Sequence, residues 1–360
     1  MHIPTFLPRC TAFLSFILSI EVQVAALSNH GPTNFGENVT DIYQFQSNGS
    51  FVDNIAFRPD GTLLATRIDV PEIWSVDLRT GAGSLVYKFS RDSPNITSCF
   101  GITEIDHDVF AVIAGQFDVN KFAATPGSFS VWKLDFTVQH NDHCDTFFDW
   151  QTKRNEGEKQ ETSPTVSKLV DIPEAKALGA STLLKSRDSR FLLISDSSEG
   201  MIWRLDLETG EYNPTLSDGS MLPAQNGPAM GVNGIQVHDG YLYYASVTKR
   251  EFRRVQIDDT ASAIGPYELI LGDITLDNFD LAIDGTVYFA TNTENMIVKL
   301  TAQGEIVQVA GGKNSTALAG PTCCRLHPSG NILVVGTNGG ITAPVNNGFE
   351  EPGKLATIRI

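Results

Sequence analysis

A turn recurs in this chain at a fixed interval. Asp239-Gly240, Asp284-Gly285 and Ser329-Gly330 stand about 45 residues apart, and Asp60-Gly61 has the same setting. Each lies between a strand-like run that opens on a small or polar residue and a second run rich in branched and aromatic residues, the pattern of a hairpin. Long helical periodicity is missing, so the chain is all-β. A period of roughly 45 residues is that of a four-stranded propeller blade. Six such units begin at residues 52, 100, 178, 231, 277 and 320.

Five of the units continue into a third strand, read in IWSVDL (73–78), VWKLDF (131–136), IWRLDL (202–207), FRRVQI (252–257) and IVKL (297–300). Trp74, Trp132 and Trp203 recur there and read as packing residues between blades. The last unit lacks such a run, but KLATIRI (354–360) can supply its third strand and DIYQF (41–45) its outer one. The expectation is a six-bladed β-propeller of four-stranded blades, its ring closed by the N- and C-terminal strands, which removes free sheet edges. The polar stretch from Thr137 to Thr165 reads as a loop within blade two.

Residues 1–26 read as a signal peptide: Arg9 precedes the apolar run Cys10 to Ile20, too short to span a bilayer, and Val24 and Ala26 suit cleavage after Ala26. Residues 27–360 then form the propeller, secreted or held in the lumen of the secretory pathway. An even set of cysteines remains after cleavage, and Cys99 with Cys144 is the preferred disulfide. The adjacent Cys323 and Cys324 can form a strained vicinal bridge, remain thiols or pair elsewhere. Sequons at Asn38, Asn48, Asn95 and Asn314 lie in polar stretches open to glycosylation. The net charge of −16, without a Lys/Arg cluster, argues against a nucleic-acid partner, and no second membrane segment is present.

Ligands of a propeller meet the starts of its innermost strands, so the repeat phase selects candidates. Asp53 and Asn54, Gly101, Gly179 and Ala180, Asn233 and Gly234, Asp277 and Asn278, and Pro321 and Thr322 share one ring position. The ends of the second strands add Arg67, Asp69, Gly115, Gln116, Asp196, Thr248, Lys249, Asn292 and Asn338. Asp53, Asn233 and Asp277 offer oxygens that suit Ca²⁺ or Mg²⁺, or simply bond local backbone N–H groups. Arg67 can bind an anionic oxygen in the funnel or pair with Asp69. Signatures of nucleophilic hydrolases, zinc proteases, P-loop proteins and CxxC redox centres are absent, and the histidines show no metal spacing.

At DNIAFRPDG, VNGIQVHDG and DNFDLAIDG the chain resembles the SMP-30/gluconolactonase/NHL-like propellers. Their metal-dependent lactonases hold a cation with an acid, an Asn and an Asp, which by motif fall on Asp53, Asn233 and Asp277. Those lactonases carry Glu before Gly-Pro in the first motif, whereas here Asp53 precedes Asn54-Ile55. The NGI and DNFD segments, with the AGPTCCR and TNGG endings, resemble more closely a fungal secreted group that includes the hetero-Diels-Alderases of tropolonic sesquiterpene biosynthesis.

That resemblance implies the joining of a tropolone o-quinone methide, formed by loss of water from a hydroxymethyl tropolone, to an alkene of a humulene-type sesquiterpene. The partners would be polyketide and terpene small molecules, and no cofactor is required. Such a cycloaddition gains from holding two reactants in a near-attack pose away from water. Hydrogen-bond donation to the diene oxygen is expected of Arg67 or Gln116, and proton transfer of Asp53 or Asp277. A Ca²⁺- or Mg²⁺-dependent lactonase and a non-catalytic secreted binding propeller are the alternative readings.

Overall fold

The computed structural model describes residues 38–360 except 90–92, 94, 139–162, 186–188 and 347. Six antiparallel four-stranded sheets follow one another as the blades of a propeller. Their innermost strands are Val52–Phe57, Ser98–Asp106, Leu178–Leu183, Val232–His238, Phe279–Leu281 and Pro321–Leu326, in blades one to six. In blade six the C-terminal strand Lys354–Arg359 pairs with Ile332–Thr337 on one side and with the N-terminal strand Val39–Gln44 on the other, so the two chain ends close the ring. The polar stretch of blade two joins its third strand, Ser130–Asp135, to its fourth, Thr165–Asp171, with 139–162 outside the described residues. Residues 1–26, read from the sequence as a signal peptide, are likewise outside them. Among the described residues no helix is long and apolar enough to cross a membrane.

The apolar core is divided among the blade interfaces. Alternate side chains of each strand face the preceding and the following blade, so six clusters form, one between each neighbouring pair. Trp132 and Trp203 are buried in two of these, and Trp74 packs against a third, as interfacial packing requires. Cys323 and Cys324 show the alternation directly: one thiol enters the interface of blades six and one, the other that of blades five and six, and both are unpaired. Of the Cys99–Cys144 pair, Cys99 is fully buried between blades one and two and Cys144 lies outside the described residues. Asn48, Asn95 and Asn314 are exposed, while Asn38 is partly buried with its amide donating to the Val309 carbonyl.

One irregularity repeats. The ladder between the first two strands slips between Val52 and Asn54, Cys99 and Ile102, Leu178 and Ser181, Val232 and Ile235, and Pro321 and Cys323. A bulge frees a residue from the ladder and re-aims its side chain. Here it does so at one level of five blades, and in blade five Asp277 and Asn278 precede the short inner strand at the same level. Second-strand hydroxyls lock the bulges: Thr66 bonds the Asn54 amide and carbonyl, and Ser195 those of Ala180.

Candidate functional site

The bulges of blades four and one, with the segment before the inner strand of blade five, bring Asn233, Asp53 and Asp277 together. Asp277 stands at the centre of a polar arc: Asn233 donates its amide to Asp277 Oδ1 at 2.7 Å, Asn278 to the same oxygen at 3.5 Å, and Asn292 to Oδ2 at 3.2 Å. Asp53 faces Asp277 closely enough for the two charges to interact, yet no hydrogen bond reaches its carboxyl from the described residues. The rest of the ring carries no such groups. A Cβ on Gly101 would lie 2.6 Å from the Gly179 carbonyl oxygen, and one on Gly179 2.7 Å from Asn233 Oδ1, so glycine lets blade two approach blade three and blade three approach blade four. The ring is therefore polar along blades four, five and one and bare along blades two and three.

Burial sets the protonation of this arc. It pushes Asp277 up to about 7, against the hydrogen bonds of Asn292 and Asn233, which favour the ionised form. Asp53 is pushed well above the usual carboxylate range, first by burial and then by the charge of Asp277. Both residues are partly exposed, although their carboxyls are held in a poorly solvated setting. The unequal surroundings favour the charge on Asp277, which has amide donors, over Asp53, which has none among the described residues.

A divalent hard cation needs six to eight oxygens. Around Asp277 the amides of Asn233, Asn278 and Asn292 present nitrogen, not oxygen, and among the described residues no three acidic, histidine or cysteine side chains gather. The set Asp53, Asn233 and Asp277 in this form, one carboxyl bound by amide nitrogens and one without a donor among the described residues, does not fit the metal that the lactonase resemblance implies.

Arg67 is placed elsewhere. Its guanidinium is buried, paired with Asp69 and, at 3.4 Å, with Glu72, and stacked 4.5 Å over the Phe45 ring. Pairing with Asp69, one of its two sequence readings, is the arrangement observed. Gln116 lines a cavity of about 460 Å³ beside blade two with Ser128 and Lys168, apart from the Asp53–Asp277 pair. Lys249 and Arg250 hold loop carbonyls at the surface.

Two features were not foreseen. The hairpin Phe117–Asp118/Ala123–Ala124, inserted after the second strand of blade two, carries Phe117, Val119 and Phe122 onto the cluster that contains Phe51 and Phe100, and Ile341 from blade six packs on the same cluster. It forms an apolar wall at the strand-start end, where the bulges lie. A cavity of about 780 Å³ opens at the other end and stops at Ala56, Ile102, Ser181 and Gln236, one to three residues along the strands from Asp53, Gly101, Gly179 and Asn233. Gln236, Asp280 and Arg325 form a second, internally paired polar layer there.

No family model matches the chain. It is 26% identical over 329 residues to a protein of Phoma sp named "Putative hetero-Diels-Alderase", covering 80% of this chain and 85% of that one. A protein of the same description from Sarocladium schorii is 26% identical over 332 residues, covering 80% of this chain and 75% of its own. Among solved structures, the calcium-binding protein regucalcin of Agrobacterium tumefaciens superposes with a TM-score of 0.54 at 12% identity, covering 88% of this chain and 94% of that one, which speaks for the fold alone. Over most of its length, then, this six-bladed propeller resembles the fungal proteins that bear the hetero-Diels-Alderase name.

Proposed function

We propose that the protein is a cyclase of secondary metabolism that unites a tropolone o-quinone methide with a humulene-type alkene by hetero-Diels-Alder addition. The observation that carries this reading is the unequal carboxyl pair, one undonated and one amide-bound, beside an apolar aromatic wall in a chain whose relatives bear that name. Asp53 gives its proton to the departing hydroxyl of a hydroxymethyl tropolone, the C–O bond breaks, and water leaves. Asp277 takes the ring hydroxyl proton, so the o-quinone methide is neutral and one proton has passed through the pair. Cycloaddition then closes the new ring without a nucleophile, and exchange with water takes the proton from Asp277 and restores one to Asp53. Asn233 replaces Arg67 and Gln116 as the donor at the diene oxygen, because its amide already lies in the arc. The bare glycine side and the wall of Phe117, Val119 and Phe122 accommodate the hydrocarbon.

The site needs no cofactor in this reading, and the protein works in the secretory pathway or outside the cell, as the signal segment and sequons indicate. The test is incubation with a hydroxymethyl tropolone and a humulene alcohol, with and without EDTA, and separately with aldonolactones, followed by mass spectrometry. A stereodefined adduct formed faster than in buffer, and unaffected by EDTA, is the expected result. EDTA-sensitive lactone opening without adduct would overturn it in favour of the metal-dependent lactonase, and silence in both assays in favour of a binding propeller.

A further inference from the structure

The amide of Asn292 could face Asp277 with either end, and what decides the end lies outside the ring. Asn292, buried after the second strand of blade five, accepts at Oδ1 a hydrogen bond of 2.5 Å from the Thr342 hydroxyl. Thr342 Oγ1 in turn accepts at 3.0 Å from Asn338 Nδ2. Asn338 is fully buried, and its Oδ1 accepts the Gly340 backbone N–H at 2.8 Å. A backbone N–H can only donate, so it fixes the orientation of the Asn338 amide, whose nitrogen must then serve Thr342. The Thr342 proton is left to point at Asn292 Oδ1, which turns the Asn292 NH₂ onto Asp277 Oδ2.

The glycines of this region are explained by the same chain. Gly339 and Gly340 sit at φ values of 72° and 86°, which fold the loop back over Asn338. A Cβ on Gly320 would stand 1.9 Å from Asn338 Oδ1, so the buried amide fits only beside glycine. The TNGG and AGP segments thus meet on one hydrogen-bonded path that crosses from blade six to blade five.

We propose that Thr342 and Asn338 are positioning residues: the one-way hydrogen-bond chain from Gly340 N–H through Asn338, Thr342 and Asn292 holds a donor on Asp277 and so selects it as the carboxylate that receives the proton. The inference rests on the proton-transfer reading of the Asp53–Asp277 pair. Ile341, the neighbour of Thr342, packs on the apolar wall of blades two and three, so the loop that orients the carboxylate also borders the hydrocarbon side of the site.

Thr342→Val keeps the shape and removes the hydroxyl, and Thr342→Ser restores the hydroxyl without the methyl. The side-chain amide signals of Asn292 in a ¹H–¹⁵N spectrum, assigned by their loss in Asn292→Ala, read the orientation without any substrate. The expected result is that Thr342→Val shifts or broadens these signals and lowers kcat for adduct formation about tenfold with KM within about twofold, the worth of one weakened hydrogen bond to a charged group. Thr342→Ser recovers both. Unchanged Asn292 signals in folded Thr342→Val, or a serine variant as impaired as the valine one, would overturn the proposal. If the unaltered protein forms no adduct at all, the functional reading fails while the amide signals still decide whether the chain orients Asn292.

Discussion

Two buried polar clusters occupy the strand-start end of this propeller and are built in opposite ways. Around Arg67 the charges balance: Asp69 and Glu72 face Arg67 and Lys88, Trp74 donates to Glu72 at 2.9 Å, and Phe45 covers the guanidinium. Burial pushes Glu72 up, but hydrogen bonds from Lys88 and Trp74 and the charges of Lys88 and Arg67 bring it below its ordinary value. Around Asp277 there are two carboxyls and only neutral amides, so burial prevails and both carboxyls rise. A balanced cluster holds its protons where solution would put them and serves structure. The unbalanced one keeps a proton available near neutral pH, which is what proton transfer to and from a substrate needs.

The comparison breaks most visibly if the roles are exchanged by mutation. Converting both Asp53 and Asp277 to Asn should slow the dehydration step by about 10²–10⁴-fold, the usual worth of positioned acid–base groups, measured as initial rate of adduct from the alcohol precursor. Removing Arg67 should instead act on folding: Arg67→Ala leaves Asp69 and Glu72 without their cation and should cost about 3–5 kcal/mol in urea unfolding. An Arg67→Ala protein of unaltered stability but lost turnover would put Arg67 back in the site. Phe122→Ala, which opens the apolar wall, should raise KM for the terpene about tenfold through lost apolar contact, with a smaller change in kcat.

The smallest effect sharpens the electrostatic half. A carboxyl whose pKa is raised on folding adds stability at pH values below its unfolded value, and that contribution is lost as pH rises through the folded one. For Asp277 the window runs from 3.8 to about 7, so the pair weakens the fold above neutrality. Asp53→Asn should therefore raise Tm by about 2 °C at pH 8 and leave it unchanged at pH 4, read by calorimetry. An equal effect at both pH values would mean that the two charges do not oppose each other.

The fold was legible because its signal is local and repeated. Each Asp-Gly or Ser-Gly turn with its flanking alternation marks a blade, and the missing third strand of blade six pointed to Lys354–Arg359. The ring positions were legible for a related reason: they recur at one phase of the repeat, so Asp53, Asn233 and Asp277 could be aligned without knowing that a bulge aims the first two and that the third stands just before a short strand. What separates Arg67 from Asp277 was not legible, since Lys88 stands 16 residues from Glu72 and reaches it only across a pair of strands. Thr342 was hidden in the same way. Its bond to Asn292 spans 50 residues and two blades, and only the two consecutive glycines before it hinted at an unusual backbone. The apolar hairpin of blade two was missed because two-residue strands carry too little pattern to stand out.

The account divides the reaction at a point that can be measured directly. Adduct formation is followed in single turnover from the hydroxymethyl precursor and from o-quinone methide released photochemically in the presence of enzyme and alkene, for the unaltered protein and for the Asp53→Asn, Asp277→Asn double variant. The prediction is that the double variant loses the first reaction and retains accelerated, stereodefined formation in the second, because holding the two reactants does not require the carboxyl pair. Equal rates for the two proteins from the hydroxymethyl precursor would contradict the assignment of Asp53 and Asp277 as its acid and base.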